Sequence, residues 1–128
     1  MRKMIVPGML MLILIAGCKA KLNSEKTVEL PPAGMHDIIV DPITSAQDIK
    51  VSAKASSGKF NVYVFLTKDK ADVEKAANQN KVSDKVIAHK LDTSDAELKA
   101  NIAANSEATV LLMSIEAKKV EVKVKLTN

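Results

Sequence analysis

The sequence predicts an all-β fold, an antiparallel β-sandwich of jelly-roll-like order with about seven or eight strands and one short inserted helix. Three observations lead there. Apolar and polar residues alternate with a period of two from Met35 onward, the signature of strands with one buried face. The alternating runs are short and closely spaced, as in two-sheet antiparallel architectures. Only Asp69 to Gln79 breaks the period, with Val73, Ala76 and Ala77 at helical spacing.

The first 17 residues stand apart from that domain. Arg2 and Lys3 precede an apolar run from Met4 to Ala16, broken only by Pro7-Gly8. The run is shorter than the roughly 20 apolar residues that a membrane span requires. A positive start, a short apolar stretch and a small-residue exit are the features of a cleaved export signal. Leu14-Ile15-Ala16-Gly17-Cys18 resembles a bacterial lipobox, in which an aliphatic and two small residues precede the cysteine that becomes lipidated. That resemblance implies export, cleavage before Cys18 and a lipid anchor outside the cytoplasm. One acyl chain binds a membrane marginally and two or more bind it stably, so a diacyl or triacyl Cys18 is expected to hold the protein on a membrane. Lys19 follows the cysteine where enteric bacteria often place aspartate for inner-membrane retention. The resemblance therefore favours the outer membrane in a cell that has two.

Residues 18–34 are expected to be the lipidated cysteine and a tether. Lys19, Lys21, Asn23, Ser24, Glu25 and Lys26 are polar, and Pro31-Pro32-Ala33-Gly34 ends the stretch as a stiff break. Thr27 to Leu30 has the pattern of a short edge strand. Residues 35–128 form the expected sandwich domain.

Within it, His36 to Val40 reads as the first strand. Ile49, Val51, Ala53 and Ala55 alternate with Asp48, Lys50, Ser52 and Lys54. Ser56-Ser57-Gly58 then makes a turn, and Phe60, Val62, Val64 and Leu66 form the next inward row, so this pair is expected to be a hairpin. The helix follows, with Asp69 and Asp72 placed to serve its positive end. Val86 to Leu91 is a further strand. Leu98, Ala100 and Ile102 alternate with Lys99 and Asn101. Ala108 to Ile115 is apolar on both faces and reads as a central strand covered on two sides. Val120, Val122, Val124 and Leu126 alternate with polar residues in the clearest strand of the chain.

The stretch from Asp48 to Thr127 is similar to small jelly-roll domains of the pre-peptidase C-terminal kind, appended to exported bacterial proteins. The likeness rests on strand spacing, on Asn61-Val62-Tyr63-Val64-Phe65 after a glycine turn, and on the final lysine-valine strand. It implies a non-catalytic accessory domain and transfers no functional residue.

Composition narrows the function. Arg2 and Lys3 belong to the leader, and every later cation is lysine. Arginine is the residue suited to bidentate phosphate recognition, so its absence, with the extracytoplasmic address, argues against nucleic acid. Cys18 is the only cysteine. Once lipidated it leaves no thiol for a disulfide, a redox switch or a thiolate metal site.

His36, Asp37, Asp41, His89 and Asp92 are the residues that could seed a metal site. Neighbours on a strand point to opposite faces, which separates His36 from Asp37. His89 and Asp92 have helix spacing in a strand. Two distant histidines do not make a zinc pattern, and no metal or cofactor is predicted. No Gly-x-Ser-x-Gly or His-Glu-x-x-His motif is present, and three aromatic residues offer little for a glycosidase groove.

Two features remain as candidate binding sites. Tyr63 and Phe65 are either a binding ledge for a glycan, peptide or partner sheet, or the second buried face of a covered strand. Lys119, Lys123 and Lys125 form a basic row interrupted by Glu121. This row is either a contact for anionic headgroups or envelope polymers, or a solvated edge that blocks aggregation. The expected function is a lipid-anchored, non-enzymatic envelope module that binds an envelope protein or polymer. The alternatives are a structural surface or coat lipoprotein and, third, a minimal hydrolase with a hidden carboxylate pair.

Overall fold

A computed structural model of the protein describes residues 22–128. The export signal, Cys18 and the first residues after it lie outside the described residues. Eight strands fold in order: β1 (Asn23–Leu30), β2 (Met35–Val40), β3 (Gln47–Ala55), β4 (Phe60–Leu66), β5 (Ala88–Thr93), β6 (Asp95–Ile102), β7 (Ala108–Ser114) and β8 (Val120–Thr127). One α-helix, α1 (Lys70–Asn78), lies between β4 and β5.

The first sheet runs β1-β8-β3-β6 and the second β2-β7-β4-β5, with every pairing antiparallel. Successive strands pass from one sheet to the other except at β4–β5. This is the jelly-roll order that the strand pattern predicts. The inward rows of both sheets, among them Ile49, Val51, Val122 and Val124 facing Phe60, Val62, Val64 and Val110, form one continuous buried core.

The outer faces of the two sheets differ. Helix α1 lays Val73 and Ala77 on Tyr63, Phe65, Leu111 and Met113, making a second apolar cluster outside the second sheet. Strands β4 and β7 are therefore buried on both faces, which explains their unbroken apolar runs. Among the described residues the first sheet has no such cover, and β3, β6 and β8 alternate between buried and exposed positions.

Four expectations need correction. The stretch expected as tether is largely strand: β1 pairs with β8 along its whole length, from Asn23↔Thr127 to Leu30↔Val120. Only Val28 and Leu30 of β1 are buried, so its first half carries no apolar pattern. The Pro31-Pro32-Ala33-Gly34 break is the tight connection to β2, where the Gly34 N–H donates to the Pro31 carbonyl at 2.8 Å. A Cβ at Gly34 would collide with the Pro31 ring.

The expected β3–β4 hairpin is instead an arch between sheets. β3 pairs with β6 and β8, while β4 pairs with β5 and β7. Gly58 sits in the arch at φ +87°, a conformation that glycine adopts without steric cost. The Lys59 N–H next to it is held by the Glu116 carboxylate at 2.9 Å.

The strand β8 is an inner strand between β1 and β3, so its lysines do not guard an edge. Finally, Asp69 occupies the cap position of α1 without a side-chain hydrogen bond to the helix. A 3-10 turn at Thr67–Asp69 runs straight into the helix. The Asp69 and Asp72 carboxylates meet Lys85 Nζ instead, at 4.0 and 2.7 Å.

Candidate functional site

Tyr63 and Phe65 are 2% and 0% exposed. They are the covered face of β4, packed beneath α1, and form no ledge. The Tyr63 hydroxyl accepts a hydrogen bond from the Asn61 amide at 3.3 Å. Burial pushes the Tyr63 phenol above its ordinary pKa, and the Asn61 hydrogen bond opposes that shift.

The outer face of the first sheet, uncovered among the described residues, is where the lysines stand. Period-2 geometry places Lys123 and Lys125 of β8 on that face with Lys50 and Lys54 of β3 and Lys99 of β6. Lys119, just before β8, pairs with Glu29 at 3.3 Å, and Lys123 pairs with Glu25 at 3.6 Å. Both are exposed pairs across the β1–β8 seam. The predicted basic row is thus split: two of its three members are met by carboxylates of β1.

Lys125 is different. Its neighbours across the ladders are Glu25 on one side and Ser52 on the other. No carboxylate among the described residues comes within ion-pair distance of Lys125. The same holds for Lys50 and Lys99, which stand directly opposite each other on β3 and β6. Lys50 also stands opposite Thr127. The carboxylate two residues before Lys50 is engaged, since Asp48 accepts a hydrogen bond from the Asn101 amide at 2.8 Å.

Between these side chains lies a depression of about 610 Å³, lined by Lys50, Ser52, Glu97, Lys99, Lys125 and Thr127 along with Val51 and Leu98. Ser52 is the short residue that leaves room between the lysines. The arrangement offers three ammonium groups and two hydroxyls to a ligand, with Glu97 as the single acid. Sequence pattern alone placed Lys50, Ser52 and Lys99 on outward rows; it held no information on which rows become neighbours.

A second cavity, of about 560 Å³, opens between the edge strands β1 and β2. Its lining mixes Ile38, Ile39, Val40 and Ile43 with Lys26, Asp37 and Asp41. It has no concentrated charge of one sign.

The other titratable candidates are dispersed. Asp37 is bound at 2.6 Å by Lys70, and the hydrogen bond and charge of Asp37 raise the Lys70 pKa. Asp92 meets Lys59 at 3.9 Å, and His89 lies opposite Tyr63 on β5. Among the described residues, no group of three His, Cys, Asp or Glu side chains could hold a metal ion.

No protein-family model matches the chain, and no curated protein matches it in sequence. Solved structures do match. The pre-peptidase C-terminal domain of a collagenase from Bacillus anthracis superposes with a TM-score of 0.56 at 11% identity. That match covers 82% of this chain and 89% of that one. The Yersinia pseudotuberculosis-derived mitogen superposes with a TM-score of 0.59 at 7% identity, covering 84% of this chain and 86% of the other. At these identities the likeness is one of fold, and it agrees with the pre-peptidase C-terminal resemblance at that level.

Proposed function

We propose that this chain is a lipid-anchored, non-enzymatic module of the cell envelope that binds another envelope component through the outer face of its first sheet. The observation that carries the proposal is the depression at Lys50, Lys99 and Lys125. Three cations without carboxylate partners face outward from the first sheet, while α1 covers the middle strands of the opposite sheet.

The lipobox-like Leu14–Cys18 supports the anchor. Four residues lie between Cys18 and the start of β1 at Asn23, so five chain steps join them. At no more than about 3.6 Å per residue they span about 18 Å. A lipid on Cys18 therefore keeps the domain close to the membrane, in the outer membrane of a two-membrane cell by the same resemblance.

Two experiments test this reading. Cys18→Ser should abolish fatty-acid labelling and release the protein from membranes; continued labelling ends the anchor proposal. In-cell crosslinking of the tagged protein should capture a dominant envelope component. Lys50→Gln combined with Lys125→Gln should reduce that capture. Recovery of self-crosslinks alone would instead favour a structural coat, for which the edge strand β2, with Ile39 46% exposed, supplies a contact.

A further inference from the structure

We propose that the depression bounded by Lys50, Lys99 and Lys125 binds the phosphate groups of a phosphate-bearing envelope polymer. This inference rests on the binding-module reading and names the ligand class for the same face.

The first argument is the cross-strand charge pattern. Like charges directly opposite on neighbouring strands destabilise a sheet, yet Lys50 faces Lys99 with no carboxylate bridging them. Carboxylates are not scarce on this face. Asp48 is taken by Asn101, Glu25 by Lys123 and Glu29 by Lys119. Among the described residues, Lys50, Lys54, Lys99 and Lys125 are the cations of this face without an ion pair, and all but Lys54 line the depression. A bound anion relieves the repulsion there.

The second argument is the donor set. Lysine presents a compact charge with rotatable donors and meets phosphate as a point charge, without the bidentate fork by which arginine engages phosphate and carboxylate alike. Lys50, Lys99 and Lys125 line the depression with the hydroxyl-bearing Ser52 and Thr127, from three neighbouring strands. That suits a tetrahedral group whose oxygens point in several directions. Glu97 on the same rim can accept a hydroxyl of the polymer backbone.

The third argument separates a polymer from a flat bilayer. Asp48, Asp95, Glu25, Glu29, Glu97 and Glu121 occupy outward positions on the same face. They balance Lys50, Lys54, Lys99, Lys119, Lys123 and Lys125. A plane of headgroups meets the entire face and finds no net charge. A narrow chain entering the depression meets three cations at close range. Charges beyond about 8 Å are largely screened at physiological salt.

The test is titration of the full chain, purified in detergent, with polyphosphate followed by NMR. Saturable binding is expected, with shifts confined to Lys50, Ser52, Lys99, Lys125 and Thr127. Lys50→Gln/Lys99→Gln, and separately Lys125→Gln, should weaken binding at least tenfold, and Lys119→Gln less than twofold. The double variant should melt at or above the parent temperature, since the like-charge contact is gone. Polyglutamate of equal charge should bind at least tenfold more weakly, and anionic phosphatidylglycerol vesicles should compete no more than neutral phosphatidylcholine vesicles.

Equal binding of the two polymers, or retention of affinity in both lysine variants, overturns the phosphate proposal. So does displacement of polyphosphate by phosphatidylglycerol vesicles that is not matched by neutral phosphatidylcholine vesicles, which take up the lipid anchor equally. Crosslinking to an envelope component that persists while polyphosphate fails to bind would overturn the ligand class and leave the module reading standing. Loss of both would remove the two together.

Discussion

The side-chain oxygen of Asn61 accepts the backbone N–H of Asp92 at 2.8 Å, at the place where the β4–β5 register shifts. Asp92 lies at φ +51°, so this bond holds a backbone conformation that L-residues rarely adopt. The Asn61 amide nitrogen also reaches the Tyr63 hydroxyl. One buried side chain thus ties a bulge to the cluster under the helix. Asn61→Ala leaves the Asp92 N–H without its partner, and such a loss costs about 1–3 kcal/mol. A lower urea midpoint with an unchanged slope is expected. An unchanged midpoint would mean that the bulge holds itself.

Phe65 is fully buried against α1, beside Val73, Ala77 and Leu111. Truncating a buried phenylalanine to alanine costs about 3–5 kcal/mol through lost burial and the cavity left behind. Phe65→Ala should therefore lower the melting temperature sharply. Val73→Ala, which opens the same cluster from the helix side, should show a smaller loss that is not additive with it. Full stability of Phe65→Ala with loss of a binding partner would restore the ledge reading.

These residues also show how far the sequence could be read. Alternation assigned β3, β6 and β8 their inward rows because each has one wet face. The double apolar character of β7 correctly announced a covered strand. Register and partner choice were out of reach, because Ser56-Ser57-Gly58 serves an arch as well as a hairpin. The neighbour relation of Lys50 to Lys99 exists only once β3 pairs with β6. The strand β1 was hidden because an edge strand whose first half leaves the core needs few apolar residues.

The pH dependence has a definite sign at high pH. Burial raises the Tyr63 pKa above the ordinary value of about 10. The folded chain then keeps a proton that the unfolded chain releases. This contribution is complete below pH 10 and is lost as pH rises through the folded value. Lys70 and Lys85, raised by Asp37 and Asp72, lose their contributions in the same alkaline direction. Tyr63→Phe should flatten part of the decline in urea midpoint above pH 10 while leaving the lysine part. Superimposable curves for the two proteins would remove Tyr63 from the account.

Asp72 tests the acid side. The hydrogen bond and charge of Lys85, at 2.7 Å, hold its carboxyl below the usual range. Whatever stability the pair supplies is present above the ordinary carboxylate pKa and is lost as pH falls through the lowered one. Both groups are exposed, so salt weakens the effect. An NMR titration should find Asp72 below its ordinary value, and Lys85→Met should return it. No response to Lys85→Met would assign the shift to the helix end.

The last prediction concerns where the folded domain begins. A chain starting at Met35 keeps everything once expected to be domain, but it lacks β1. Val28 and Leu30, 3% and 0% exposed, would no longer close that side of the core. Burial of such side chains stabilises by about 1.5–3 kcal/mol each. Strand β8 would also lose its ladder to β1, and its freed backbone groups would become an unprotected edge. Domains of this size have only about 5–15 kcal/mol of net stability, so the two losses together consume much or all of it. A chain starting at Leu22 should give a cooperative urea transition, and one starting at Met35 should unfold at far lower urea or aggregate. Equal midpoints would return residues 23–30 to the role of a tether and lengthen the reach from Cys18 accordingly.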